Sequence, residues 1–260
     1  MADQLQLYWQ PGCTSCLRTR EFLMENGVDF ESINVRSDGA ALRSLAARGL
    51  RSVPVLLRGE HYVLAQDLDE VARFVGVALE RPRLDAATLL HRLADLLAAA
   101  ERLTYQLPLD RIGEKLPQRE RTWLDLAYHI PMIVEGFLAA VRGGVLTYQH
   151  YELTPPTSVR TPAEVAVVTA HLHIQLQRWA QSTVTDSGLA DRRLNTYFGE
   201  KPLQVVLERT TWHVAQHCRQ LAELVGRQAT VSSAAALPVA LLAGLPLPTA
   251  IWDPEITDAR

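Results

Sequence analysis

Cys13-Thr14-Ser15-Cys16 carries the clearest chemistry in this chain. Two cysteines three apart at the start of a helix bring their sulfurs within bonding reach. The partial positive charge of a helix N-terminus favours the first thiolate. Such a pair supports thiol–disulfide exchange, with Cys13 as exposed nucleophile and Cys16, one turn deeper, as resolving thiol. Arg18 and Arg20 on the same helix are candidates for added positive potential. Half of a zinc site and a merely structural pair are the competing uses. The chain has three cysteines and a single CxxC, which argues against zinc.

A second centre lies far downstream. His213 and His217 are four apart and share one helix face. That face is the apolar stripe of Leu203, Leu207, Val214 and Leu221, so both imidazoles should point inward. His129 falls among Leu126, Ile130 and Ile133, again on an inward stripe, with Pro131 expected to bend that helix. A hydrogen-bonded core histidine is the plain alternative for His129 alone. Three inward histidines from two helices suit one divalent ion with positions left open. His171 and His173 are two apart, cannot share a helix face, and are expected to be structural or to support the ligands. His61, His91 and His150 carry no spacing signal, and Cys218 is expected to be a small packing residue.

The elements that must position these residues fall into two kinds. Strand signals at Leu5 to Trp9, Phe30 to Val35, Val53 to Leu57 and His61 to Leu64 alternate with helix signals at Cys13 to Asn26, Gly39 to Arg48 and Asp67 to Val75. The order is βαβαββα, with one parallel pair and a hairpin at Gly59. After Arg81-Pro82-Arg83 the pattern is helical throughout. Four apolar stripes follow, on Leu89 to Leu103, Leu126 to Phe137, Val165 to Trp179 and Leu203 to Leu224, which suit an up-down four-helix bundle. The stretches from Gly143 to Pro162 and from Ser182 to Pro202 are expected to be long connections. The predicted organisation is an α/β domain at 1–80, an all-α domain at 84–226 and an apolar, proline-containing tail at 227–260 packed on the body.

Bulk properties narrow the function. The 260 residues are 48% hydrophobic and 21% charged, with net charge −3 and no basic patch. These values suit globular domains and give no reason to expect a nucleic-acid partner. The uncharged stretch from Gln228 to Trp252 contains Pro238, Pro246 and Pro248, which argues against a membrane span and for packing on the body or in a homodimer contact. A CxxC without a recognisable leader predicts a cytoplasmic setting.

Residues 5 to 77 resemble the glutaredoxin branch of the thioredoxin fold. The resemblance rests on the first strand, the CxxC helix, Ser52-Val53-Pro54 and Gly59 in the following hairpin. It implies that Pro54 is cis, that the Val53 backbone pairs with the substrate thiol, and that Asp67 helps hold a glutathione-like thiol. Thr14-Ser15 departs from the usual Pro-Tyr toward the arsenate-reductase-like and Spx-like pattern, and Leu64-Ala65 stands where Gly-Gly is usual. Residues 85 to 226 resemble the DinB/YfiT-like metal-binding bundles. The matching positions are His129 from the second helix and His213 and His217 from the fourth. That resemblance implies a divalent metal, zinc or nickel, and chemistry with low-molecular-weight thiols. Together these readings predict a thiol–disulfide oxidoreductase domain fused to a metal-dependent thiol transferase or hydrolase acting on a low-molecular-weight thiol or disulfide. The alternative is a non-enzymatic, redox-responsive metal-binding stress or interaction protein.

Overall fold

The computed structural model describes residues 4–117, 119–183, 186–227 and 237–254. The chain forms two compact units. The first comprises residues up to Arg81 together with 117–119 and the segment from Pro248, and the second comprises Pro82–Leu116 and Glu120–Leu247.

In the first unit β1 (Gln6–Trp9), α1 (Thr14–Glu25), β2 (Glu31–Asn34), α2 (Gly39–Ala47), β3 (Val55–Arg58), β4 (His61–Leu64) and α3 (Leu68–Val75) follow the βαβαββα order. The sheet order is β2-β1-β3-β4. β1 pairs parallel with β2 and antiparallel with β3, and β3 pairs antiparallel with β4. The central strands β1 and β3 are buried almost throughout, and Leu7, Val55 and Leu56, with Ala65 just after β4, share a core with Cys16, Leu23 and Val71 of the helices. Local chemistry sets the helix ends. Asp38 caps α2 through the Ala40 and Ala41 amides, Asp67 caps α3 through Asp69 N–H, and Gly76 ends α3 in the left-handed region.

The second unit is mostly helical. Its long helices are α4 (Ala86–Tyr105), α5 (Trp123–Val141), α6 (Pro162–Thr183) and α7 (Leu203–Gly226), and α4 and α5 each pack on both α6 and α7. Burial follows the apolar stripes: Leu89, Leu93, Leu96 and Leu97 of α4 are fully buried, as are Val206, Leu207, Val214 and Leu221 of α7, the helix it packs on. Helix α5 is apolar on nearly every face and most of it is buried, because α6, α7 and the short elements after it surround it. A capping box of Thr122 and Asp125 starts it, and Pro131 lies within it.

The stretches expected to be long connections carry short strands and a turn of their own. β5 (Val145–Leu146), β6 (Arg193–Thr196) and β7 (Gly199–Pro202) form a small sheet in the order β5-β6-β7, and a 3-10 turn spans Tyr148–Tyr151. These strands are two to four residues long and carry few β-branched side chains, so their pattern is too short to register as strand. Of the uncharged tail, residues 228–236 lie outside the described residues. Residues 237–247 join the second unit, where Leu245 is buried, a Cβ at Gly244 would touch Leu84, and Arg92 donates to the Ala243 carbonyl.

Candidate redox site and histidine centre

Cys13 and Cys16 are joined in a disulfide, with their Cα atoms 5.2 Å apart. Cys13 is the N-cap residue of α1, and its Sγ accepts the Cys16 N–H at 3.2 Å. A sulfur at that position receives the helix's partial positive charge, which is what a thiolate needs. The preceding turn is made by Gly12 at φ 67°, a left-handed conformation that a side chain resists. The Val53–Pro54 peptide is cis, and both residues are buried, while Ser52 is half-buried. Gln66 connects these parts: its Oε1 accepts from Ser15 Oγ at 3.2 Å and its Nε2 donates to the Val53 carbonyl at 3.5 Å. Arg18 donates to the Gln66 carbonyl at 2.9 Å. Asp67, expected to contact a thiol ligand, has its carboxylate on the Asp69 N–H at 3.0 Å as the α3 cap. Burial raises the Asp67 pKa, with the Asp69 amide opposing. Cys13 departs from its expected exposure. It is only 9% exposed, and α1 is covered continuously from Thr14 to Arg20.

In the second unit His129, His213 and His217 converge, with one ligand atom from each lying within 4.8 Å of the others. All three are buried. Ring centroids are 4.8 Å apart for His129 and His217, and 4.9 Å for His213 and His217. The α7 pair meets because four residues make about one helical turn; α5 supplies His129 from across the packed interface. His217 Nδ1 lies 2.7 Å from Gln220 Oε1, which can only accept. With Nδ1 donating to that oxygen, Nε2 would keep the lone pair a metal requires. Three imidazoles in this arrangement are a donor set that fits a borderline divalent ion. Beside them sits a buried cation. Arg209, one turn before His213, donates to Tyr151 Oη at 2.7 Å and to Tyr197 Oη at 2.8 Å. The Tyr151 ring lies 5.3 Å from that of His213. Burial raises both phenol pKa values, with Arg209 opposing.

Comparison with known proteins places the first unit. The glutaredoxin family profile matches residues 5–63. The glutaredoxin-like proteins NrdH of Escherichia coli K12 and of Shigella flexneri are each 33% identical over 57 residues, which is 22% of this chain and 70% of theirs. The chain belongs to the glutaredoxin family. The relation is carried by the first unit, a thioredoxin-like sheet and helix domain, and the helical second unit lies outside the match. Glutathione transferase F7 from Populus trichocarpa aligns over 93% of this chain and 99% of its own, at 14% identity and a TM-score of 0.34.

The departures from the usual glutaredoxin motif have structural counterparts. Ser15, in place of the usual tyrosine, is small enough to be buried and to reach Gln66. At Leu64-Ala65, where two glycines are usual, Ala65 N–H donates to the Pro54 carbonyl and the Ala65 carbonyl accepts from Thr19 Oγ1. Gln66, Gln220, Tyr151 and Arg209 were not reached from the sequence, since each acquires its place only through packing. Among the other histidines, His171 is exposed and lies 2.6 Å from the Gln175 side chain, and His173 is half-buried. His171 thus pairs with its own helix. Cys218 is fully buried, its Sγ 3.6 Å from the Leu96 carbonyl, and burial pushes its thiol up to about 12. Such a thiol is not a nucleophile at neutral pH.

Proposed function

We propose that this glutaredoxin-family protein exchanges disulfides with low-molecular-weight or protein thiols through Cys13 and Cys16, and that its helical unit is a DinB-like four-helix bundle binding one divalent ion. The observation carrying the redox half is Cys13 at the cap of α1, bonded to Cys16, in the unit that also holds the cis Val53–Pro54 bond. The Cys13 thiolate attacks one sulfur of a substrate disulfide and expels the other as a thiolate. Cys16 then attacks Cys13 Sγ and expels the second substrate thiolate. The substrate gains two electrons, the pair becomes the disulfide, and a second thiol donor must reduce it again. The Val53 backbone, with Ser52 and Asp67 beside it, is the proposed contact for the substrate thiol.

The metal half is supported by the convergence of His129, His213 and His217. A zinc or nickel ion held there would lower the pKa of a thiol or water brought to it. The chain's own contribution is positional: Gln220 fixes the His217 tautomer, and Arg209 with Tyr151 places a fixed positive charge nearby. The reading that follows is thiol-dependent transfer or hydrolysis in the second unit. Metal analysis of the full-length protein tests it, together with a screen of glutathione and other low-molecular-weight thiols. About one zinc or nickel per chain, lost on His213→Ala, is expected. A chain that binds neither ion under titration would refute the metal half and leave the redox half standing.

A further inference from the structure

The last described residues of the chain lie against the redox helix. Thr249 and Ala250 donate their backbone N–H groups to the Glu21 carboxylate at 2.6 and 3.0 Å. Three residues on, Asp253 pairs with Arg20, and its Oδ2 accepts the Gly12 N–H at 3.4 Å. Both partners of this ion pair are buried, at 8% and 3% side-chain exposure. Arg20 also stands over the Trp9 ring, 4.9 Å from its centroid. A guanidinium presents a fork of donors matched to a carboxylate. Here Asp253 engages one terminal nitrogen, and the other, Nη1, is buried with no hydrogen-bond partner among the described residues.

Cys13 and Arg20 are seven residues apart on α1, two turns along one face. Gly12 directly precedes Cys13. The acceptor position filled by Asp253 therefore lies beside the nucleophile and is built from a backbone N–H and a half-used arginine fork. Resting on the thiol–disulfide reading above, we propose that Gly12 and Arg20 form a carboxylate-binding site for substrate next to Cys13. Asp253 fills that site from within the chain, and a thiol or disulfide bearing a carboxylate takes its place. The inference assigns the substrate a chemical class, a carboxylate-bearing thiol or disulfide.

The test compares two alkylating reagents on the reduced full-length protein at one pH: iodoacetate, which carries a carboxylate, and iodoacetamide, which does not. Mass spectrometry reads the rate at Cys13. Asp253→Asn should raise the iodoacetate-to-iodoacetamide rate ratio by about 3- to 10-fold, the size expected when one nearby negative charge is removed. Adding Arg20→Gln to that variant should return the ratio to its original value. A chain ending at Leu247 provides the same test if Asp253→Asn fails to fold. Equal acceleration of both reagents would reduce the segment to a simple cover and overturn the carboxylate site, as would no change in either rate. Should Cys13 react no faster than Cys16 in the parent protein, it is the redox assignment that fails.

Discussion

Asp67 shows how one side chain serves structure and electrostatics at once. Its carboxylate caps α3, yet burial raises its pKa above the ordinary 3.8. For an acid whose folded-state pKa is raised, the folded state gains stability as pH falls through that value toward the unfolded one, and loses it again on the way up. Asp67→Asn keeps an acceptor for Asp69 N–H and removes the buried charge, so its melting temperature at pH 7 should equal or exceed that of the parent. Asp67→Ala removes the cap and should cost about 1 kcal/mol in urea unfolding. Gln220 makes a second case. On the metal reading proposed above, Gln220 would orient His217 without being a ligand, so Gln220→Ala should weaken zinc binding by about 10- to 100-fold in a chelator competition while leaving the helical circular dichroism intact. The cysteine pair and the histidines could be read from the sequence because spacings of three and four fix geometry within one helix. Asp253 could not, because its partner Arg20 is 233 residues away.

At the scale of elements, the apolar stripes were sufficient to find α4 to α7, since each long helix repeats its pattern over several turns. The small sheet β5-β6-β7 has no such redundancy, and with it went Tyr197, which the turn between β6 and β7 holds against Arg209. Helix α5 bears His129 and is started by the Thr122–Asp125 box, in which each side chain satisfies the other residue's backbone N–H. Thr122→Ala should destabilise the protein by about 1 kcal/mol, seen as a lower urea midpoint with an unchanged slope. On the metal reading proposed above, zinc should restore part of the lost stability by binding only the folded form. A Thr122→Ser variant, which retains the hydroxyl, should match the parent.

For the molecule as a whole, the first unit carries the cysteine pair and the glutaredoxin match, and the second carries the three converging histidines. Residues 117–119 and the segment from Pro248 belong to the first unit, so the chain visits that unit three times. Such returns leave no periodic trace. Arg119 lies where a Cβ at Gly12 would collide with its side chain, and nothing in the local sequence of either residue announces it. The account rests most heavily on Cys13 as nucleophile and Cys16 as resolving thiol. The direct measurement is intact-mass analysis of the reduced Cys16→Ser protein after exposure to a small disulfide such as glutathione disulfide. The account predicts a single mixed-disulfide adduct mapped to Cys13, absent from Cys13→Ser and resolved by the parent protein into the Cys13–Cys16 disulfide. No adduct, or an adduct on Cys218, would contradict it.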